Sequence, residues 1–201
     1  MPIQTQFKYR NKLIPLNLDK VFFIILHHTG IENATPEQIH QWHLDKGFNG
    51  FGYNEYIRKG GSVFIGRGDH IGAHTANMNS KSYGIAVEGN YDVEEDMPKP
   101  QFDALVKRIK FNRDRFKNKI KIESHSTFFP TSCFGRHFPI EKIMEELDDE
   151  LEKAVEVLRQ KGIIGSPDYW IQNAIKGKTV NGEYAGILIK RVAELLDFYQ
   201  G

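Results

Sequence analysis

The chain has 201 residues, enough for one sizeable core and a small appendage. It is 40% hydrophobic and 26% charged, which excludes an intrinsically disordered chain. Its 27 basic and 26 acidic residues leave a net charge of +1, a near-balance that argues against nucleic acid as the main partner.

The stretch ahead of Val21 carries Lys8, Arg10 and Lys12 but no apolar segment of signal-peptide length, so synthesis in the cytosol without an export signal is expected. Residues 21–26 (VFFIIL) form a β-branched and aromatic run that predicts a strand buried on both faces. That run is far too short for membrane insertion. Thr35, Pro36 and Gln38 compose a capping box with proline at the first helical position; Ile39 and Trp42 face inward and Gly47 ends the helix. From Gly50 to Gly89 the pattern predicts short strands at 53–58, 62–65 and 84–88, with Gly60-Gly61 as a hairpin turn. Pro98 and Pro100 introduce a helix with Phe102, Leu105, Ile109 and Phe116 at helical spacing. A strand at 121–124 delivers His125 into an irregular segment running to Pro139.

An acidic helix is expected over 140–161, with Ile143, Leu147, Leu151, Ala154 and Leu158 on one side. Ser166-Pro167-Asp168 opens another helix, through Tyr169, Trp170 and Ile175. Asn181-Gly182 precedes a last helix with Ile187, Ile189, Val192, Leu195 and Leu196. The expected fold is α/β: a mixed central β-sheet flanked by helices over 1–145, followed by a small all-helical, three-helix module over 150–201.

Cys133 is the single cysteine, so it is an inert buried thiol, a nucleophile or a metal ligand. His27-His28-Thr29 follows the apolar strand, where α/β proteins commonly place their sites. His125 and Cys133 stand eight residues apart across a loop containing Pro130. Imidazole and thiolate are both zinc ligands, and a catalytic zinc takes three protein ligands; His27, from another strand, would supply the third. A tyrosine hydroxyl or neutral imidazole near a metal polarises a carbonyl, which draws attention to Gly52-Tyr53-Asn54 and Gly72-Ala73-His74-Thr75. Taken alone, these read as a half-buried strand tyrosine and a surface histidine. His40 and His43 lie three apart without an HExxH pattern and read as a solvated helix face. Gly177-Lys178-Thr179 imitates the end of a phosphate-binding loop, but Gln172 stands where the first glycine belongs.

Together these pieces resemble the type-2 N-acetylmuramoyl-L-alanine amidases, the superfamily of phage lysozyme-amidases and peptidoglycan recognition proteins. The resemblance runs over residues 21–143. It rests on IILHHTG (24–30), QWHLDKGFNGFGYNEYI (41–57), GGSVFIGRG (60–68), GAHTANMNSKSYGIAVEGN (72–90) and HSTFFPTSCFGRHFP (125–139), in that order. It implies one zinc ion ligated by His27, His125 and Cys133, with His28 as a packing residue. It implies a Tyr53 hydroxyl facing the zinc-bound water or the scissile carbonyl, and His74 and Asn79 in the substrate groove. Thr131 matches a position that is lysine in some members and threonine in the recognition-protein branch. There are two departures. Phe134 replaces the proline that usually follows the cysteine, which alters loop stiffness and removes no ligand. Threonine at 131 offers a hydroxyl in place of a cation, so transition-state charge falls more heavily on zinc and Tyr53.

The activity implied is hydrolysis of the amide joining N-acetylmuramic acid to L-alanine in bacterial peptidoglycan. The setting implied is a phage or prophage endolysin, made in the host cytoplasm without a signal peptide and acting on the wall after release. The alternatives are a housekeeping amidase that recycles wall fragments and a zinc-stabilised module that binds peptidoglycan without cutting it. For the C-terminal module, wall binding is the first expectation and self-association through its helices the second. Tyr169 could stack on sugars, whereas Trp170, at the start of an amphipathic helix, reads as core.

Overall fold

The computed structural model describes residues 1–116, 120–174 and 178–198; Ile175 and Gly177 lie outside the described residues. The chain divides into two compact units, Met1–Ile143 and Met144–Gly201.

The first unit is built on strands β1 (Ile3–Gln4), β2 (Phe23–His28), β3 (Glu55–Ile57), β4 (Val63–Ile65), β5 (Ser82–Val87) and β6 (Lys121–Ser124), with helices α1 (Pro36–Asp45) and α2 (Lys99–Arg115). The strand order is β1-β4-β3-β5-β2-β6. Among the described strands β3 and β4 alone pair antiparallel, through the Gly60-Gly61 turn, so the sheet is mixed as the pattern predicts. Gly61 takes φ +82°, a conformation costly for any side chain.

The apolar run starts its ladder two residues later than expected and continues through both histidines. β2 pairs with β5 from Phe23↔Ser82 to His28↔Val87, so the His-His pair occupies the strand's last two positions rather than the loop beyond. Aligned residues on neighbouring strands share a sheet face. Phe23, Ile25 and His27 therefore stand on the same face as Ser82, Gly84 and Ala86. Those three are small, which leaves room on that face for something other than sheet side chains.

Helix α1 starts as its sequence dictates. Thr35 Oγ1 accepts from the Gln38 N–H at 3.2 Å and Gln38 Oε1 accepts from the Thr35 N–H at 2.9 Å. Loss of such a cap typically costs about 1 kcal/mol. Ile39 packs with Phe51, Tyr56 and Ala86, and Tyr53 lies against that cluster. Helix α2 buries Leu105, Val106 and Ile109. Under it lies a fully buried carboxylate, Glu55, which accepts from Arg108 at 2.7 and 2.6 Å, from the Tyr83 hydroxyl at 2.9 Å and from Asn112 at 2.9 Å. A buried charge is tolerated when it is paired and hydrogen-bonded in this way.

Helix α3 (Ile140–Gln160) begins in the first unit and continues into the second, which also holds α4 (Pro167–Asn173) and α5 (Gly182–Phe198). The second unit buries Val155, Ile163 and Ile164, with Leu151, Leu158, Trp170, Leu188 and Val192 packed around them. Trp170 is thus half-buried against this core. Ala154 was expected on the inner stripe but is exposed; Val155 takes its place, because the spacing 151, 155, 158 follows the face that meets Ile163 and Ile164. Among the described residues no helix is long and apolar enough to cross a membrane.

Candidate metal centre

The parallel ladder brings the distant pieces together. β6 runs beside β2 with Leu26 opposite Ser124, so His27 and His125 are each the next residue along from that pair. Ser124 Oγ accepts from the Thr127 N–H at 3.2 Å and caps the turn His125–Thr127. The Cys133 carbonyl then accepts from the Ser126 N–H at 3.0 Å, which folds the loop back over its own start. The donor atoms of His27, His125 and Cys133 consequently lie within 4.8 Å of one another. His27 is 1% exposed, and its Nδ1 stands 3.7 Å from the Cys133 sulfur.

Burial sets the chemistry of these groups. It holds His27 well below the usual imidazole range, with His74 and His125 adding to the effect, and it lowers His125 as well. It pushes the Cys133 thiol up to about 12. The centre therefore offers two neutral imidazoles with lone pairs and one sulfur, the donor set that zinc takes. A dication beside the sulfur favours the thiolate and reverses its shift. The residues fit a zinc ion.

Tyr53 stands over the centre, its ring centroid 5.2 Å from that of His27. Burial, with Cys133 adding, raises its pKa, so the hydroxyl keeps its proton and serves as a donor. Thr131 Oγ1 accepts from the Cys133 N–H at 3.2 Å, which leaves the hydroxyl's own proton to donate. His27, Tyr53, His125, Thr131 and Cys133 all line one cavity of ≈ 650 Å³, and Phe129 stacks on His125 at its edge.

A family model described as N-acetylmuramoyl-L-alanine amidase matches residues 17–137, a span that holds the three clustered donors together with Tyr53 and Thr131. The chain belongs to the N-acetylmuramoyl-L-alanine amidase family. The pig N-acetylmuramoyl-L-alanine amidase is 35% identical over 98 residues, which is 43% of this chain and only 16% of the pig protein. Peptidoglycan-recognition protein SC1a of Drosophila melanogaster is 30% identical over 128 residues, covering 57% of this chain and 68% of that protein. Among solved structures, the endolysin N-acetylmuramoyl-L-alanine amidase LysCS from Clostridium intestinale URNW aligns with a TM-score of 0.68 at 28% identity, covering 74% of this chain and 95% of that one.

Other groups of this amidase-family chain surround the cluster. His28 turns away from the cluster, and its Nδ1 accepts from the Tyr91 N–H at 3.0 Å. The 90s loop in turn braces the cysteine loop: Asp92 accepts from the Ser132 hydroxyl at 2.7 Å and the Tyr91 carbonyl from the His137 N–H at 2.8 Å. The peptide joining Cys133 to Phe134 is cis. His74 borders the cavity but is 8% exposed, with Nδ1 3.0 Å from His27 Nε2. Asn79 also borders it, and its side-chain oxygen accepts from the N–H groups of His74 and Thr75 at 2.9 and 3.0 Å.

His40 and His43 are not a solvated face. His40 Nδ1 accepts from the Phe51 N–H at 3.0 Å and His43 Nδ1 from the Gly52 N–H at 2.9 Å, so both rings tie α1 to the segment that carries Tyr53. The sequence signal was the alternation of Gly50 and Gly52. A Cβ at Gly50 would stand 2.5 Å from His40 Cε1, and one at Gly52 2.4 Å from the Ala73 carbonyl oxygen.

Proposed function

We propose that the chain hydrolyses the amide bond between N-acetylmuramic acid and L-alanine in bacterial peptidoglycan, using one zinc ion held by His27, His125 and Cys133. The observation that carries this reading is the convergence of two neutral imidazoles and a thiol within 4.8 Å on the wall of an open cavity. A bound zinc supplies Lewis acidity, polarising the amide carbonyl and lowering the pKa of water from 15.7 toward about 7. The chain's own part is to place donors. Tyr53, protonated and half-buried on the cavity wall, donates to the carbonyl oxygen as negative charge develops, and Thr131 donates from the cysteine loop. Removing one such donor typically costs about 10²–10³ in rate. His43 holds the backbone at Gly52 and so aims Tyr53. His74 and Asn79, on the same cavity, are assigned to the groove that receives substrate.

The likeness to the endolysin LysCS supports the same role here: release to the wall from the cell that made the chain. The second unit is assigned to holding the wall. Tyr184, 48% exposed, packs edge-to-face with Tyr169 at 5.0 Å beside a cavity of ≈ 370 Å³, and aromatic faces of this kind suit sugars. Co-sedimentation of the full chain with walls should weaken on Tyr184→Ala. The relationship to peptidoglycan-recognition protein SC1a supports a second reading, binding without cleavage. An assay for new amino termini on purified walls separates the two. Release of N-terminal L-alanine establishes the amidase; sedimentation with walls and no new terminus establishes recognition alone.

A further inference from the structure

A histidine that binds a metal through one ring nitrogen carries its proton on the other, and the acceptor of that proton fixes both tautomer and ring angle. In this chain the acceptor facing His27 is another imidazole, His74, whose seat is built from small residues. A Cβ at Gly84 would lie 2.5 Å from His74 Cγ, and one at Gly72 2.4 Å from His74 Cδ2. Asn79 holds the turn beneath the ring through two backbone N–H groups. The ring is clamped, not merely buried.

The direction of each hydrogen bond follows from the far end of the chain of contacts. The Met78 carbonyl can only accept, so the Ser82 hydroxyl donates to it, at 2.8 Å. Ser82 Oγ then accepts from His74 Nε2 at 3.5 Å, which places the His74 proton on Nε2 and leaves Nδ1 bare. His74 Nδ1 then accepts from His27 Nε2 at 3.0 Å. His27 is left with a lone pair on Nδ1, the nitrogen that faces the Cys133 sulfur.

We propose that His74 is a positioning residue: from its glycine-lined seat it accepts the His27 Nε2 proton and thereby presents His27 Nδ1 to the metal. This rests on the reading that His27, His125 and Cys133 hold zinc. Loss of such an outer partner typically weakens metal affinity about 10–100-fold.

The test compares zinc affinity, by competition with a chromophoric chelator, in the full chain and three variants. His74→Phe fills the seat without an acceptor, whereas His74→Asn leaves a gap but can put an amide oxygen near the Nδ1 position. Positioning predicts that Phe weakens zinc binding about 10–100-fold and that Asn recovers most of the loss; simple packing predicts the reverse order. Ser82→Ala, the mildest change, should weaken binding a few-fold by freeing the His74 tautomer. Nitrogen-15 spectra of the zinc-loaded wild type should show the His27 proton on Nε2. A His74→Phe chain that binds zinc like wild type, or a His27 proton on Nδ1, overturns the proposal. A wild type that binds no zinc overturns the metal reading itself, and the two failures are therefore distinct.

Discussion

The two units of this chain hold themselves together by different means. The first buries His27, His28, Asn54, Glu55, His74, Glu88 and Asn112, and each is bonded to named partners far away in sequence. The core of the second, among the described residues, is a small apolar cluster around Val155, Ile163 and Ile164. Apolar contacts are non-directional, so they select a fold but not an angle. Buried polar networks are directional and lose heavily when one member is removed, which is what a site needs to hold donors at fixed positions. The difference assigns precision to the first unit and leaves the second free to tolerate change.

The largest effect expected is at the cluster. Cys133→Ala should abolish zinc binding and wall hydrolysis together, measured by metal content and release of N-terminal alanine; retained activity would break the link between them. Next is the Glu55 network. Arg108→Met leaves a fully buried carboxylate without its cation and should cost about 3–5 kcal/mol in chemical denaturation. A shift below about 1 kcal/mol would mean the network is not what distinguishes the first unit. Tyr53→Phe should reduce kcat about 10²–10³-fold, about 2.7–4 kcal/mol of transition-state stabilisation, with zinc affinity unchanged.

In the second unit Leu158 is only half-buried. Leu158→Ala should cost less than the 2–5 kcal/mol typical of a fully buried leucine and leave the rate on soluble fragments untouched. A large loss of rate there would erase the contrast between the units. The last expected effect is read against pH, not as a single value. Burial, with Lys46, Arg67 and His40 adding, pushes His43 down to about 4. The unfolded chain takes up that proton near pH 6.5 and the folded chain only near 4, so stability from this group is complete above about 6.5 and is lost as pH falls toward 4. His43→Asn, which keeps an acceptor but no titrating ring, should flatten the stability curve in that window.

How much of this could be read in the sequence depended on how local the cause was. The β2 run, the Thr35–Gln38 capping box and the Gly60-Gly61 turn each owe their form to neighbours within a few residues. The cluster was readable because two of its three members share a loop and the third ends a strongly apolar strand. His40, His43 and His74 were not readable as structural groups, since their partners are backbone, hydroxyl and ring atoms between 8 and 47 residues away. The place of Val155 on α3 was missed for a similar reason. Helical period alone leaves a one-position ambiguity that only Ile163 and Ile164 resolve.

The most direct test of the account is a zinc titration of wall hydrolysis. Protein stripped by a chelator should release no N-terminal alanine, and activity should return in proportion to added zinc, reaching its plateau at one equivalent per chain. Digestion at full rate by the stripped protein, or a plateau unaffected by Cys133→Ala, would contradict it.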